Sequence, residues 1–131
     1  MQKPPHKKLG AYKAVHVQTA SPAKQVVMLY DGIITHLRRA IVGFEENSPE
    51  RNEIIHNAIQ EASRIILELR IALDEERGGE VARGLNELYA FWIKHLSDAN
   101  ATKDLSPVEE VLTMVLELRD SWDQAARIAQ S

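Results

Sequence analysis

Apolar residues return along this chain with the spacing of helices, and almost nowhere with the alternation of strands. Between Val26 and Phe44, 12 of 19 residues are apolar, where a bundle helix needs about three in seven, or roughly eight. Val26, Tyr30, Ile33, Leu37 and Phe44 form one seam. Val27, Ile34 and Ile41, seven residues apart, form a second stripe about 100° round the same helix. Ser21-Pro22 opens this helix, Ser as N-cap and Pro at the first helical position, and it is predicted to run to about Phe44.

Asn47-Ser48-Pro49 repeats the start signal and predicts a second helix with Ile55, Ile59, Ala62, Ile66, Leu69 and Leu73 on its seam, stopping near Gly78-Gly79. A third helix carries Val81, Leu85, Leu88, Trp92 and Leu96 and ends around Asn100. Ser106-Pro107-Val108-Glu109 reads as a capping box for a fourth, with Val108, Val111 or Leu112, Val115, Leu118, Trp122 and Ala125 on its seam and Met114 and Leu116 outside it. Four long helices with mostly short connections predict an all-α, antiparallel up-and-down four-helix bundle with a short N-terminal lid segment or helix. Trp92 and Trp122 are expected as large core residues near the bundle ends.

The 131 residues suit one domain. The first eight, with two prolines and one apolar residue, are expected to form a disordered basic tail, leaving residues 9–131 as a single helical-bundle domain. Net charge is −3, but the first 20 residues hold four lysines and no acid. The remainder, 12 basic against 19 acidic residues, is −7. An acidic body disfavours nucleic acid as a partner. The longest unbroken apolar run, Val26 to Tyr30, is far too short to cross a bilayer, so no membrane insertion is expected. The absence of cysteine removes disulfide and thiolate chemistry and fits a cytoplasmic protein.

Candidate chemistry is sparse. Glu53 and His56 have the Glu-x-x-His spacing of di-iron bundles, but none of His6, His16, His36 or His95 has an acid three residues before it, so no second pair completes a metal site. Arg51 and His56 resemble the Arg-x4-His spacing of all-helical HEPN-type ribonucleases, in which Arg steadies phosphate charge and His transfers a proton. Gly78-Gly79 lacks the Lys and Ser/Thr of a phosphate loop. No cofactor, metal or catalytic residue is expected, and the chain is read as a non-enzyme.

The surplus apolar surface has three readings: a central helix touched on two sides, a symmetric self-association face, or a groove for a partner's amphipathic helix. Met28 and Met114 suit a surface that adapts to its ligand. In the groove reading the contacts are Val27, Ile34 and Ile41 on the second stripe. Tyr12, Val15 and Val17 then belong to a lid over the empty groove.

Tyr12, Val17, Thr19-Ala20-Ser21-Pro22 and Met28-Leu29-Tyr30-Asp31-Gly32, followed by Ile65-Ile66, Leu69, Leu73-Asp74, Gly78-Gly79, Ala82, Leu85, Leu88-Tyr89, Ala99-Asn100, Leu118-Arg119 and Trp122, resemble the flagellar secretion chaperones of the FliS family. The likeness spans nearly the whole chain from Tyr12 and departs from the family pattern at Gln25-Val26. It implies a small helical bundle in the cytoplasm that holds the disordered C-terminal segment of flagellin, prevents premature polymerisation and keeps the subunit competent for flagellar type III secretion. The partners it implies are flagellin and the flagellar export apparatus, for a monomer or weak homodimer. Gly32, unusual inside a helix, is expected to admit a close neighbour, with Asp31 bonded to a backbone group or a Tyr hydroxyl.

Overall fold

The computed structural model describes residues 21–130, with side chains to residue 128. The tail and the lid residues Tyr12, Val15 and Val17 lie outside the described residues. Four helices follow in order: α1 Pro22–Phe44, α2 Arg51–Ile71, α3 Glu75–Thr102 and α4 Leu105–Gln130. Each helix packs against its neighbours in sequence, and α4 closes the ring against α1. The pairs His56–Asn100 and Arg70–Asn86 join the start of α2 to the end of α3 and the reverse, which fixes the antiparallel sense.

The start of α1 follows its local chemistry. Ser21 is extended (φ −63°, ψ 159°) and its hydroxyl accepts from the Lys24 backbone N–H at 3.2 Å, with Pro22 in the first turn. The helix ends at Phe44, as its periodicity predicts.

The other three starts differ from the sequence expectation, each for a local reason. Ser48 does not cap α2. Its carbonyl accepts from Arg51 N–H at 3.2 Å, so Ser48-Pro49-Glu50 make a separate turn, and the helix begins at Arg51 without a side-chain cap. Gly78-Gly79 does not end α2, which stops at Ile71. Asp74 then caps α3 by accepting from Arg77 N–H at 3.3 Å. Gly79 has φ 56° and ψ −130°, a conformation that residues with a Cβ rarely adopt, and breaks α3 after its first turn. Val81 lies just past this break and is exposed instead of joining the seam, where Ala82 takes the buried place. At α4 the cap is Asp104, which accepts from Ser106 N–H at 3.2 Å; Pro107 is tolerated because first-turn N–H groups have no helical partner.

The core draws on every helix: Tyr30, Ile33, Leu37 and Ala40 from α1; Ile55, Ile59, Ala62 and Ile66 from α2; Tyr89, Trp92, Leu96 and Ala99 from α3; and Val108, Val111 and Val115 from α4. Trp92 is wholly buried midway along α3, not near an end, while Trp122 is half-buried. Ala126, not Ala125, faces inward on α4. No charged side chain is buried among the described residues.

Candidate partner surface

The block Tyr30-Asp31-Gly32 faces all three other helices: Tyr30 reaches α3, Asp31 reaches α4 and Gly32 lies against α2. The Tyr30 hydroxyl crosses the bundle to the Tyr89 hydroxyl of α3 at 2.8 Å, with both rings buried. Trp92 stands edge-on to Tyr30 with centroids 6.2 Å apart, and tilted against Tyr89 at 5.4 Å. Burial raises the pKa of both hydroxyls, Tyr89 the more strongly. The indole N–H of Trp122 comes close enough to Tyr30 to favour its ionised form, yet falls short of a hydrogen bond. The indole N–H of Trp92 is likewise buried without an acceptor.

Asp31 bonds neither backbone nor Tyr hydroxyl. It accepts from Arg119 of α4, Nε to Oδ1 at 2.8 Å and Nη2 to Oδ2 at 3.5 Å. The carboxylate holds the guanidinium in its charged form. Gly32 does admit a close neighbour: a Cβ there would lie 3.0 Å from Ile65 Cδ1 of α2.

The Asp31 contact orients the second stripe. Residues 27, 31 and 34 follow one another at i, i+4 and i+7 on one side of α1, so the side carrying Val27 and Ile34 is the side turned to α4. Both are buried, Val27 at 1% and Ile34 at 7% exposure, and Ile34 belongs to the contiguous core. Ile41 is half-buried and packs against that core. Much of the apolar surplus of α1 thus goes to touching α2 on one side and α4 on the other. What stays partly open along the α1–α4 seam is Ile41, Leu112 and Leu116, with Val42 beside them at 55% exposure. Arg119 marks the same face of α4 as Leu112 and Leu116, since the three recur at i, i+4 and i+7.

Arg51 and His56 are drawn to different partners. The Arg51 Nε donates to the Phe44 carbonyl at 3.4 Å and its guanidinium lies 5.3 Å from the Phe44 ring centroid, closing the end of α1. The Asn100 amide meets His56 Nδ1 at 2.9 Å, and Lys103 Nζ donates to Asn100 Oδ1 at 2.8 Å. With the amide oxygen held by Lys103, the amide nitrogen faces the ring, so His56 Nδ1 is the acceptor. Both residues serve interhelical packing. Among the described residues no three His, Asp or Glu side chains gather to hold a metal ion, and no helix is long and apolar enough to cross a membrane.

The sequence points to Tyr30, Asp31, Tyr89 and Arg119 only as members of scattered blocks. The available signal is that a buried tyrosine needs a partner for its hydroxyl; Tyr30 falls on the α1 seam, whereas Tyr89 stands beside the stripe read for α3, next to Leu88.

Comparison with known proteins bears on the same residues. The family model for the flagellar protein FliS matches residues 5–129. The chain is 39% identical over 108 residues to the flagellar secretion chaperone FliSB of Pseudomonas aeruginosa, covering 82% of each protein. It is 34% identical over 121 residues to the flagellar secretion chaperone FliS of Vibrio cholerae, covering 88% of this chain and 86% of that one. With FliS of Bacillus subtilis identity is 33% over 115 residues, 88% and 83% of the two chains. A four-helix bundle whose Arg51 and His56 are spent on packing, matched along nearly all its length, belongs to the FliS family of flagellar secretion chaperones and is not an enzyme.

Proposed function

We propose that this export chaperone binds the disordered C-terminal segment of flagellin in the cytoplasm, as one domain spanning residues 9–131. By covering the segment it prevents premature polymerisation and keeps the subunit ready for the flagellar type III export apparatus. The observation that carries this reading is the half-open apolar seam between α1 and α4, formed by Ile41, Val42, Leu112 and Leu116, on the side of α1 that also carries the buried Val27 and Ile34. An amphipathic helix laid along such a seam buries its own apolar face. On this reading Tyr12, Val15 and Val17 cover the seam when the client is absent. Val27 and Ile34, buried against α4, support the seam from within, while Ile41 meets the client directly.

Ordering a free segment costs about 2–5 kcal/mol of gross contact energy, so a single pocket would not hold it and a long contact is required. Calorimetric titration of the full chain with a peptide from the C-terminal end of the same organism's flagellin tests the reading. Binding with a large negative heat-capacity change and a gain of helical circular dichroism is expected. A peptide that produces no heat and no helix over a range of temperatures overturns it. Sedimentation across concentration, with and without peptide, separates a monomer or weak homodimer that takes a client from a bundle that only self-associates.

A further inference from the structure

We propose that Asp31 and Arg119 form a latch that fixes the width of the α1–α4 seam for its client, Asp31 being the positioning residue and Arg119 the group that meets the client. This rests on the flagellin reading and adds to it a polar determinant of client recognition. The latch sits inside the two apolar stripes. Positions 27, 31, 34, 38 and 41 share one side of α1, and positions 112, 116, 119 and 123 share one side of α4. The pair joins these sides directly.

Its chemistry suits spacing better than folding. Asp31 is 49% exposed and Arg119 30%, and an ion pair so open to water adds little to stability. Arg64, Arg77, Arg83 and Lys94, by contrast, pair with carboxylates three or four positions away along the chain, as Arg64 does with Glu61 and Glu68. Asp31 and Arg119 are 88 positions apart and tie the first helix to the last. The planar guanidinium set against a carboxylate through two nitrogens constrains both distance and orientation, as a lysine would not.

The contact also leaves chemistry over. Asp31 engages Nε and Nη2 of Arg119, and the donors on Nη1 remain for an acceptor. The client that fits is therefore an amphipathic helix carrying a carboxylate, side-chain amide or unpaired main-chain carbonyl between its apolar positions. Placed over the latch, that acceptor takes an Arg119 N–H while the flanking apolar side chains meet Leu112, Leu116 and Ile41.

Titration of the full chain with the flagellin C-terminal peptide, alongside urea unfolding of each variant, tests the latch. Asp31→Ala is expected to weaken binding at least tenfold with little change in the urea midpoint, and Asp31→Glu, which restores the carboxylate, to recover most of the loss. Arg119→Lys, which keeps the charge and loses the fork, weakens binding severalfold. The double variant Asp31→Ala/Arg119→Ala binds within about twofold of the weaker single variant, because the two act as one unit. Single variants that bind within twofold of wild type, losses that multiply in the double variant, or losses that track the urea midpoint each overturn the latch. If the variants fail while wild type binds, the flagellin reading stands without the latch; if wild type takes no peptide, both fall.

Discussion

The hydroxyls of Tyr30 and Tyr89 meet 2.8 Å apart across the diagonal of the bundle, joining α1 to α3. Each is the hydrogen-bond partner that lets the other be buried. Tyr89→Phe leaves the Tyr30 hydroxyl without that partner and is expected to destabilise the fold by about 1–3 kcal/mol in urea unfolding. The double variant Tyr30→Phe/Tyr89→Phe removes both hydroxyls and should cost less than the sum of the single changes.

The same pair sets the alkaline limit. Burial raises both tyrosines above the ordinary value of 10.0, so the unfolded chain loses these protons first as pH rises. Stability is therefore full below about pH 10 and falls as pH climbs beyond it. Urea midpoints measured between pH 9 and pH 11 should decline for wild type and decline less steeply for Tyr89→Phe.

The acid side is governed elsewhere. Burial, then the charges of Arg39 and Arg64, depress the pKa of His36, with Glu61 opposing them. The unfolded chain binds a proton at this position more readily than the folded one, so stability falls as pH drops through and below about 6.5. The Glu61 carboxyl is also depressed, first by its hydrogen bond from Arg64, and its contribution is lost further down, below about pH 4.5. His36→Gln should flatten the dependence of the urea midpoint between pH 5 and pH 7 and leave the lower limb in place.

Two glycines of α1 face α2, and they should respond differently to a methyl group. At Gly32 the added Cβ meets only the far end of Ile65, at 3.0 Å, and a small shift of that side chain accommodates it. The helical gain of up to about 1 kcal/mol then offsets the crowding, and Gly32→Ala should fall within about 1 kcal/mol of wild type. At Gly43 the Cβ meets Ile54 Cγ2 at 2.9 Å and Ile55 Cγ1 at 3.1 Å, with the Ile55 backbone nitrogen behind them at 3.5 Å. Branched side chains so close to their own backbone have little room to yield, and Gly43→Ala should cost about 1–3 kcal/mol. Equal effects at the two positions would show that the α1–α2 spacing is looser than these distances require.

Helix number, the α1 start and the cores of α1 and α2 are legible in the sequence because each follows from neighbours in the chain. Ser21-Pro22 and the seam Ile55, Ile59, Ala62, Ile66 and Leu69 are of this kind. The later helix starts are less so, because several residues competed for one role. Asp74 and Asp104 cap where Gly78-Gly79 and Ser106 were the more conspicuous punctuation, and nothing local ranks one short polar side chain above another. The partner surface is harder still. A second apolar stripe looks the same in sequence whether it meets a sister helix or a client, and only the reach of Asp31 to Arg119 shows that α4 lies on that side.

The break at Gly79 has a practical use. It sets the Glu75–Gly78 turn apart from the rest of α3, with all four residues exposed. Its backbone holds the Asp74 cap, but the side chains of Glu75 and Glu76 are exposed and can carry a label without disturbing a packed neighbour. A fluorophore attached at either position would report on the chaperone at work while leaving the α1–α4 seam untouched.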